Sequence, residues 1–181
     1  KSPLAKKPYP PGMHGPKKTF AKVSEYGRQL KEKQKAKVIY GILERQFRII
    51  FSKASKMTGD IGTNLLLLLE SRLDNMVFRS GLAPTRRLAR QLVTHAHFTV
   101  DGVKTNIPSY KVKPGQVIKV KENKLNKAYW KKILEKIDDI ESAGWLTLDK
   151  KEMSITVSSL PNQEELPQNI ETHLIVDFYS R

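Results

Sequence analysis

The sequence predicts an α+β protein in which helical segments lead into a small antiparallel sheet and helical character then returns. Three observations carry this. Residues 24–56 contain few breakers, and Leu43, Phe47, Ile50 and Phe51 recur at the spacing of one helix face. From Phe98 the pattern switches to an alternation of period two around Asp101-Gly102, a dipeptide that favours a two-residue hairpin. Residues 124–143 then bring Trp130, Ile133, Leu134, Ile137 and Ile140 onto one helical face.

In chain order, residues 1–23 come first. Prolines at 3, 8, 10, 11 and 16 and glycines at 12 and 15 exclude regular structure there. Lys6, Lys7, Lys17, Lys18 and Lys22 make this arm cationic, and Tyr9 and His14 can stack on bases. That combination favours an arm that orders on RNA over a solvated linker. Ser24 begins the helical stretch, interrupted only by Gly27 and Gly41, and Gly59 and Gly62 close it. Thr63 is positioned to cap the next helix. Leu66, Leu69, Leu73, Met76 and Val77 follow at core spacing, and Gly81 supplies a stop. Thr85 caps a further helix with Leu88, Leu92 and Val93 inward.

On that helix Arg86, Arg87 and Arg90 are expected to share an exposed face. No acidic residue lies between Asp74 and Asp101 to neutralise them, and arginine binds phosphate bidentately, so phosphate contact is expected. A Lys113-Pro114-Gly115 turn leads into a strand over 117–121, and 154–158 reads as another strand. The final "NIETHLIVDFYSR" fits a helix on Ile170, Leu174 and Phe178, or a strand on its β-branched residues. There is no internal repeat.

The charge narrows the partner. The 181 residues carry a formal net charge of +15, which a compact monomer holds only against self-repulsion and which calls for a polyanion. Residues 1–59 hold 15 basic and 3 acidic side chains, 60–127 hold 12 and 5, and 128–181 hold 6 and 10. Anion binding therefore belongs to the first two thirds. The acidic stretch 138–165 is expected to face solvent. Cysteine is absent, which excludes disulfides and thiolate zinc sites. The longest pure apolar run, 65–69, is far short of the ~20 residues of a membrane span, and no signal-peptide core is visible. The chain starts at Lys1 without a Met, so an upstream piece is expected.

His95 and His97 could ligate a metal from one strand. Two histidines without cysteines or an acidic cluster are too few for structural zinc, so RNA contact or packing is the expected role. No glycine-rich phosphate loop or nucleophile elbow is present. No catalytic residue, cofactor or metal is expected. A membrane-surface protein would line its cations along one amphipathic helix, whereas here they also occupy the arm and the hairpin loops.

Three blocks carry a family resemblance: "PYPPGMHG" followed by "YGRQLKEKQKAKVIYGILERQFR"; "LLESRLDN" through "RQLVTHAHFTVDG" and "NIPSYKVKPG"; and the terminal "HLIVDFYSR". In this order, over nearly the whole chain, they resemble the small-subunit ribosomal protein S-four family in its bacterial or organellar form. The resemblance implies a structural constituent of the small ribosomal subunit. Such a protein binds rRNA at a multi-helix junction of the 5′ domain early in subunit assembly. It lies beside ribosomal protein S-five and other small-subunit proteins, near the path by which mRNA enters, and it affects decoding accuracy. The expected location is the cytoplasmic ribosome, with an organellar ribosome as the alternative.

The resemblance also implies a helical domain built from both chain ends, residues 1–69 completed by about 128–181. An inserted RNA-binding module of helices on a short antiparallel sheet would occupy about 70–127. RNA-facing positions of the module would include Arg72, Arg79, Thr85, Arg86, Arg87, Arg90, Gln91, His95, His97, Asn106, Ser109 and Tyr110. In the helical domain they would include Tyr26, Gln29, Lys31, Lys33, Gln34, Lys35, Arg45 and Arg48. Some members of the family hold zinc or an iron–sulfur cluster on N-terminal cysteines. Ser2 stands near one such position, so a metal-free form is expected. The family's first few dozen residues, with a basic leader, do not align with this start.

Arg72-Leu73-Asp74 also resembles the triplet around the catalytic Asp of pseudouridine synthases, some of which carry the same small module. The large catalytic domain is missing here, and Asp74 is expected to be a helix-surface partner for arginine. A free RNA-binding module, such as a heat-shock or translational-control factor, would lack the helical blocks at both ends.

Overall fold

The computed structural model describes residues 5–9, 12–16 and 23–180. Helix α1 (Glu25–Tyr40) starts at Ser24, whose Oγ accepts the Gly27 N–H at 3.2 Å. It stops at Gly41, whose φ of 63° lets the Ile42 N–H turn back onto the Lys37 carbonyl. The stretch read as breaker-poor therefore divides into α1 and α2 (Glu44–Ala54).

Helix α3 (Ile61–Glu70) is capped by Asp60 rather than Thr63; the carboxylate accepts the Thr63 N–H at 2.6 Å and its hydroxyl at 2.8 Å. The apolar row from Leu66 to Val77 is not one helix either. It breaks at residues 71 and 72 and resumes as α4 (Leu73–Arg79). The cause lies downstream. Segment 107–112 crosses the break, where Leu73 and Asp74 donate to the carbonyls of Tyr110 and Pro108 at 2.9 and 3.2 Å. These bonds satisfy the first N–H groups of a helix that has no side-chain cap. Helix α5 (Arg86–Thr94) is capped by Thr85, as the sequence suggests, through the Leu88 N–H at 3.2 Å.

Strands β1 (Phe98–Val100) and β2 (Val103–Thr105) form the expected hairpin. Asp101 and Gly102 have φ of 49° and 79°, the left-handed pair that a tight hairpin turn needs. Strand β3 (Val117–Val120) pairs with β1. Between it and the next strands lie α6 (Glu122–Leu125), α7 (Ala128–Glu135) and a 3-10 turn over Ile137–Asp139. The sheet is larger than the hairpin pattern suggests. Strand β4 (Leu146–Asp149) was not foreseen, and β5 (Ser154–Val157) adds to β3, giving the antiparallel order β2-β1-β3-β5-β4. The ambiguous last segment is helix α8 (Thr172–Tyr179). Among the described residues no helix is long and apolar enough to cross a membrane.

Two cores result. One gathers Tyr40, Phe47, Leu65 and Leu69 with Leu166, Ile170 and Ile175. The other gathers Leu73, Met76, Leu92, Phe98 and Ile118 with Trp130, Trp145, Met153, Ile155 and Val157. The expected division, in which about 128–181 completed the helical domain, thus needs correction. Residues 130–157 pack with the small sheet. β5 finds its pairing edge on β3, and the buried indole of Trp130 donates to His97 Nδ1 at 2.8 Å. Only from Leu166 does the chain rejoin the first core.

There α8 clasps α1, α2 and α3. A Cβ at Gly62 would collide with Thr172, so α3 and α8 approach through glycine. The Glu171 N–H donates to Glu32 Oε1 at 2.9 Å. The ring of Tyr179 stacks on Phe51 at 4.5 Å, and its hydroxyl donates to Glu44 Oε1 at 2.7 Å.

Candidate nucleic-acid interface

The two cores meet at a buried carboxylate. Glu70, at the end of α3, is 1 % exposed. It accepts from Tyr40 Oη of α1 at 2.6 Å and from Asn75 Nδ2 of α4 at 2.6 Å. Arg79 Nε and Nη2 reach its two oxygens at 2.8 Å each, and Arg86 of α5 stands 3.8 Å away. Burial pushes the carboxyl up, but the bonds and charge of Arg79, then Tyr40 and Asn75, hold it below the usual range overall. The Tyr40 phenol goes the other way, raised by burial and then by the Glu70 charge. Arg86 completes the cluster: its Nε donates to Asn75 Oδ1 at 2.8 Å while the guanidinium lies over the rings of Phe78 and Tyr40.

A second buried pair lies alongside. Arg72 Nε and Nη2 grip Asp74 at 3.0 and 2.6 Å, and both residues are 5 % exposed. Arg90 approaches Asp74 Oδ2 and the Gly41 carbonyl at 3.5 Å each, tying α5 to the turn between α1 and α2. Asp74, expected at the helix surface, is therefore an interior anchor. A carboxylate held by arginine in this way is not placed as a general base.

The exposed cations line up around this junction. Arg45, Arg48, Ser52, Lys53 and Lys56 of α2 and its C-terminal turn border an open groove of about 840 Å³. Ile49 and Lys53 also border a second groove of about 370 Å³, which runs on to Arg72, Ser109 and Lys111. The helical block and the 107–111 loop thus share one cationic trough. Arg87, Arg90, Gln91 and His95 of α5 and its end are exposed, as are Asn106 and Ser109, with Tyr110 half-buried. On α1, Lys31, Gln34 and Lys35 are exposed, and Lys35 bonds Glu32 at 2.9 Å. Tyr26 is 50 % exposed against Phe178. Lys6, Lys7, Tyr9 and His14 are exposed. Lys17 and Lys18 lie outside the described residues.

Several expected contacts are turned inward instead. Gln29 is buried, and its Oε1 has no hydrogen-bond partner among the described residues. Lys33 is buried, bonded to Glu44 at 3.0 Å and seated over the Phe178 ring. Desolvation raises the Glu44 carboxyl, but the hydrogen bonds from Lys37, Tyr179 and Lys33 and the Lys33 charge outweigh it and lower it to about 2. Arg72 and Arg79 are committed to Asp74 and Glu70. Arg86 does not share the exposed face of Arg87, because its guanidinium is drawn to Glu70 and Asn75. The distinction is measurable. Arg87→Ala should leave the unfolding midpoint in urea unchanged, while Arg86→Ala should cost about 1–3 kcal/mol by leaving Asn75 and Glu70 short of a partner. Equal midpoints would return Arg86 to the exposed face.

His97 is also interior, and its pKa is pushed down to about 4 by burial and then by Lys127, Lys124, His95 and Lys121. It accepts the Trp130 N–H only when Nδ1 is unprotonated. The unfolded chain binds a proton near pH 6.5, the folded chain only near 4. Stability should therefore decline as pH falls from about 6.5 and stay reduced below about 4. Between pH 7 and 5 the parent should lose about 2 kcal/mol more than His97→Gln in urea titrations. Matching pH profiles would remove His97 from this account.

Sequence reasoning missed Glu70, Tyr40 and Asn75, whose partners lie on other elements, and Asp60, whose place three residues before Thr63 could have marked it as the cap. It also passed over Lys53, Lys56 and Lys111, which their charge alone could have flagged.

Comparison with known proteins supports a single assignment. The family profile of the ribosomal protein S4/S9 N-terminal domain matches residues 1–70, and that of the S4 domain matches 71–118. The chain is 54 % identical over 178 residues to the small ribosomal subunit protein uS4 of Geobacillus sp. (strain WCH70), covering 98 % of this chain and 88 % of that protein. It is 51 % identical over 180 residues to the uS4 of Roseiflexus castenholzii, covering 98 % and 87 %. With that alignment covering 98 % of the chain, the chain belongs to the small ribosomal subunit protein uS4 family.

Proposed function

We propose that this protein is an rRNA-binding constituent of the small ribosomal subunit that fixes the angle between RNA helices at a multi-helix junction. It would thereby nucleate assembly and influence decoding accuracy. It has no catalytic role. The observation that carries the reading is the cationic trough shared by α2 and the 107–111 loop, mounted on a junction made rigid by Glu70 and Asp74. Cations neutralise phosphates and release counterions, which gives affinity without sequence preference. Shape supplies the specificity, because the A-form major groove is too narrow for side chains to read. A surface built on two cores and locked between them presents a fixed shape. In this reading the partners are the 5′ domain of small-subunit rRNA, ribosomal protein S-five and mRNA near its path of entrance, and the setting is the cytoplasmic ribosome.

The test is a titration of the protein against a folded 5′-domain junction and a plain duplex of equal length, at several salt concentrations. The reading expects the junction to be preferred and the preference to persist at high salt. Equal binding to both RNAs, vanishing together with salt, would leave a general polycation.

A further inference from the structure

The chain beyond the trough carries lysines that the interface above does not use. Lys121 ends the β3 run, its N–H donating to the His97 carbonyl at 2.9 Å. Lys124 sits in α6, and Lys127 directly precedes α7. Register adds Lys104: it lies opposite Thr99, and Thr99 lies opposite Lys119, so the three share a row across β2, β1 and β3. Their neighbours Phe98, Val100, Ile118 and Val120 are buried, so this row is on the face turned from the core. Lys104 and Lys127 are exposed; Lys121 and Lys124 are half-buried.

Lys119 is bound to Glu152 at 3.1 Å. Lys104, Lys121, Lys124 and Lys127 have no ion-pair partner among the described residues. Desolvation, then the charges of Lys104 and Lys124, press the Lys121 ammonium below the usual lysine range. Unpaired like charges this close repel, and a polyanion relieves the repulsion. Beside them Thr99, Lys119, Lys121, Glu122 and Asn123 border an open depression of about 430 Å³.

We propose that Lys104, Lys121, Lys124 and Lys127 form a second phosphate-binding patch for RNA, on the outer face and end of the small sheet. The proposal rests on the RNA-binding reading above and extends it around the module. RNA is favoured over an acidic protein segment because the Lys121 N–H is bonded to the carbonyl of His97, two residues after His95, the exposed residue that closes α5 at the edge of the first interface. Its cations are also spread from β2, past the end of β3, through α6 to the start of α7, so they match an extended backbone rather than one carboxylate.

The test compares the parent with a variant in which Lys121, Lys124 and Lys127 are changed to Gln, and with one in which they are changed to Arg. The probe is the folded junction RNA, titrated at several salt concentrations, with circular dichroism as the check of folding. Losing three phosphate contacts should flatten the log–log salt slope by roughly two to three and weaken binding roughly ten- to hundred-fold at low salt. The Arg variant should keep the slope of the parent. If the parent binds and the Gln variant matches it in slope and affinity, the patch is overturned while the first interface stands. If the parent fails to bind any RNA, the underlying reading falls as well. If a polyglutamate peptide binds the parent and not the Gln variant while RNA binding is unchanged, the patch belongs to an acidic protein and the proposal is wrong.

Discussion

Glu70→Ala is expected to lower the free energy of unfolding by about 3–5 kcal/mol, because it strips the partner from the part-buried Arg79 and Arg86 charges, leaves the Tyr40 hydroxyl unsatisfied and costs Asn75 one of its bonds. The loss should appear in urea titrations at pH 7. It should carry an acid signature as well. The folded carboxyl is held below its ordinary value, so its contribution is fully present above about pH 4.3 and disappears as pH falls through the depressed value. The variant should therefore unfold in acid along a flatter profile than the parent. Because Glu70 joins α1, α3, α4 and α5, junction RNA should also bind more weakly to variant that remains folded in the cold. A cost under about 1 kcal/mol would mean that Arg79 and Arg86 are served equally well by water.

Trp130→Ala is the second large effect. The side chain is fully buried, packs edge-on against Phe98 and Tyr129, and donates to His97. Removing a buried tryptophan costs about 3–5 kcal/mol. Protection of β1 and β3 amides from hydrogen exchange should fall, whereas α1 and α3 should be affected less, since Trp130 lies in the core of the sheet. Greater loss in α1 and α3 would restore residue 130 to the helical block.

Most local signals of this chain were legible, the Asp60 cap of α3 excepted, and the distant ones were not. Ser24, Thr85 and Asp101-Gly102 act within three residues of themselves, and their caps and turn read directly from sequence. Gly41 was visible, but its power to split a long helical stretch depends on a left-handed conformation that a residue letter does not disclose. The break before Leu73 was invisible because segment 107–112 imposes it. The same limit applies to the interface. Exposed cations such as Arg45, Arg48 and Arg87 could be named from charge, spacing and resemblance. Whether Arg72, Arg79, Arg86, Lys33 and His97 face solvent depended on Glu70, Asp74, Glu44 and Trp130, which are brought to them by folding. The pairing of β5 on β3, with its shift of residues 130–157 into the sheet core, is a contact between segments more than thirty residues apart.

The clasp made by α8 has a consequence for synthesis. Chains emerge N-terminus first, and domains tend to fold as they appear. Every residue the sheet core gathers has been made by Val157, so the middle of the chain can complete itself early. The helices made first cannot. Phe51, Glu44 and Glu32 wait for Tyr179 and Glu171, which are made after the sheet core is complete. The nascent chain thus carries a finished inner unit behind an open outer one, and loss of α8 would strand α1 and α2 with an apolar flank exposed.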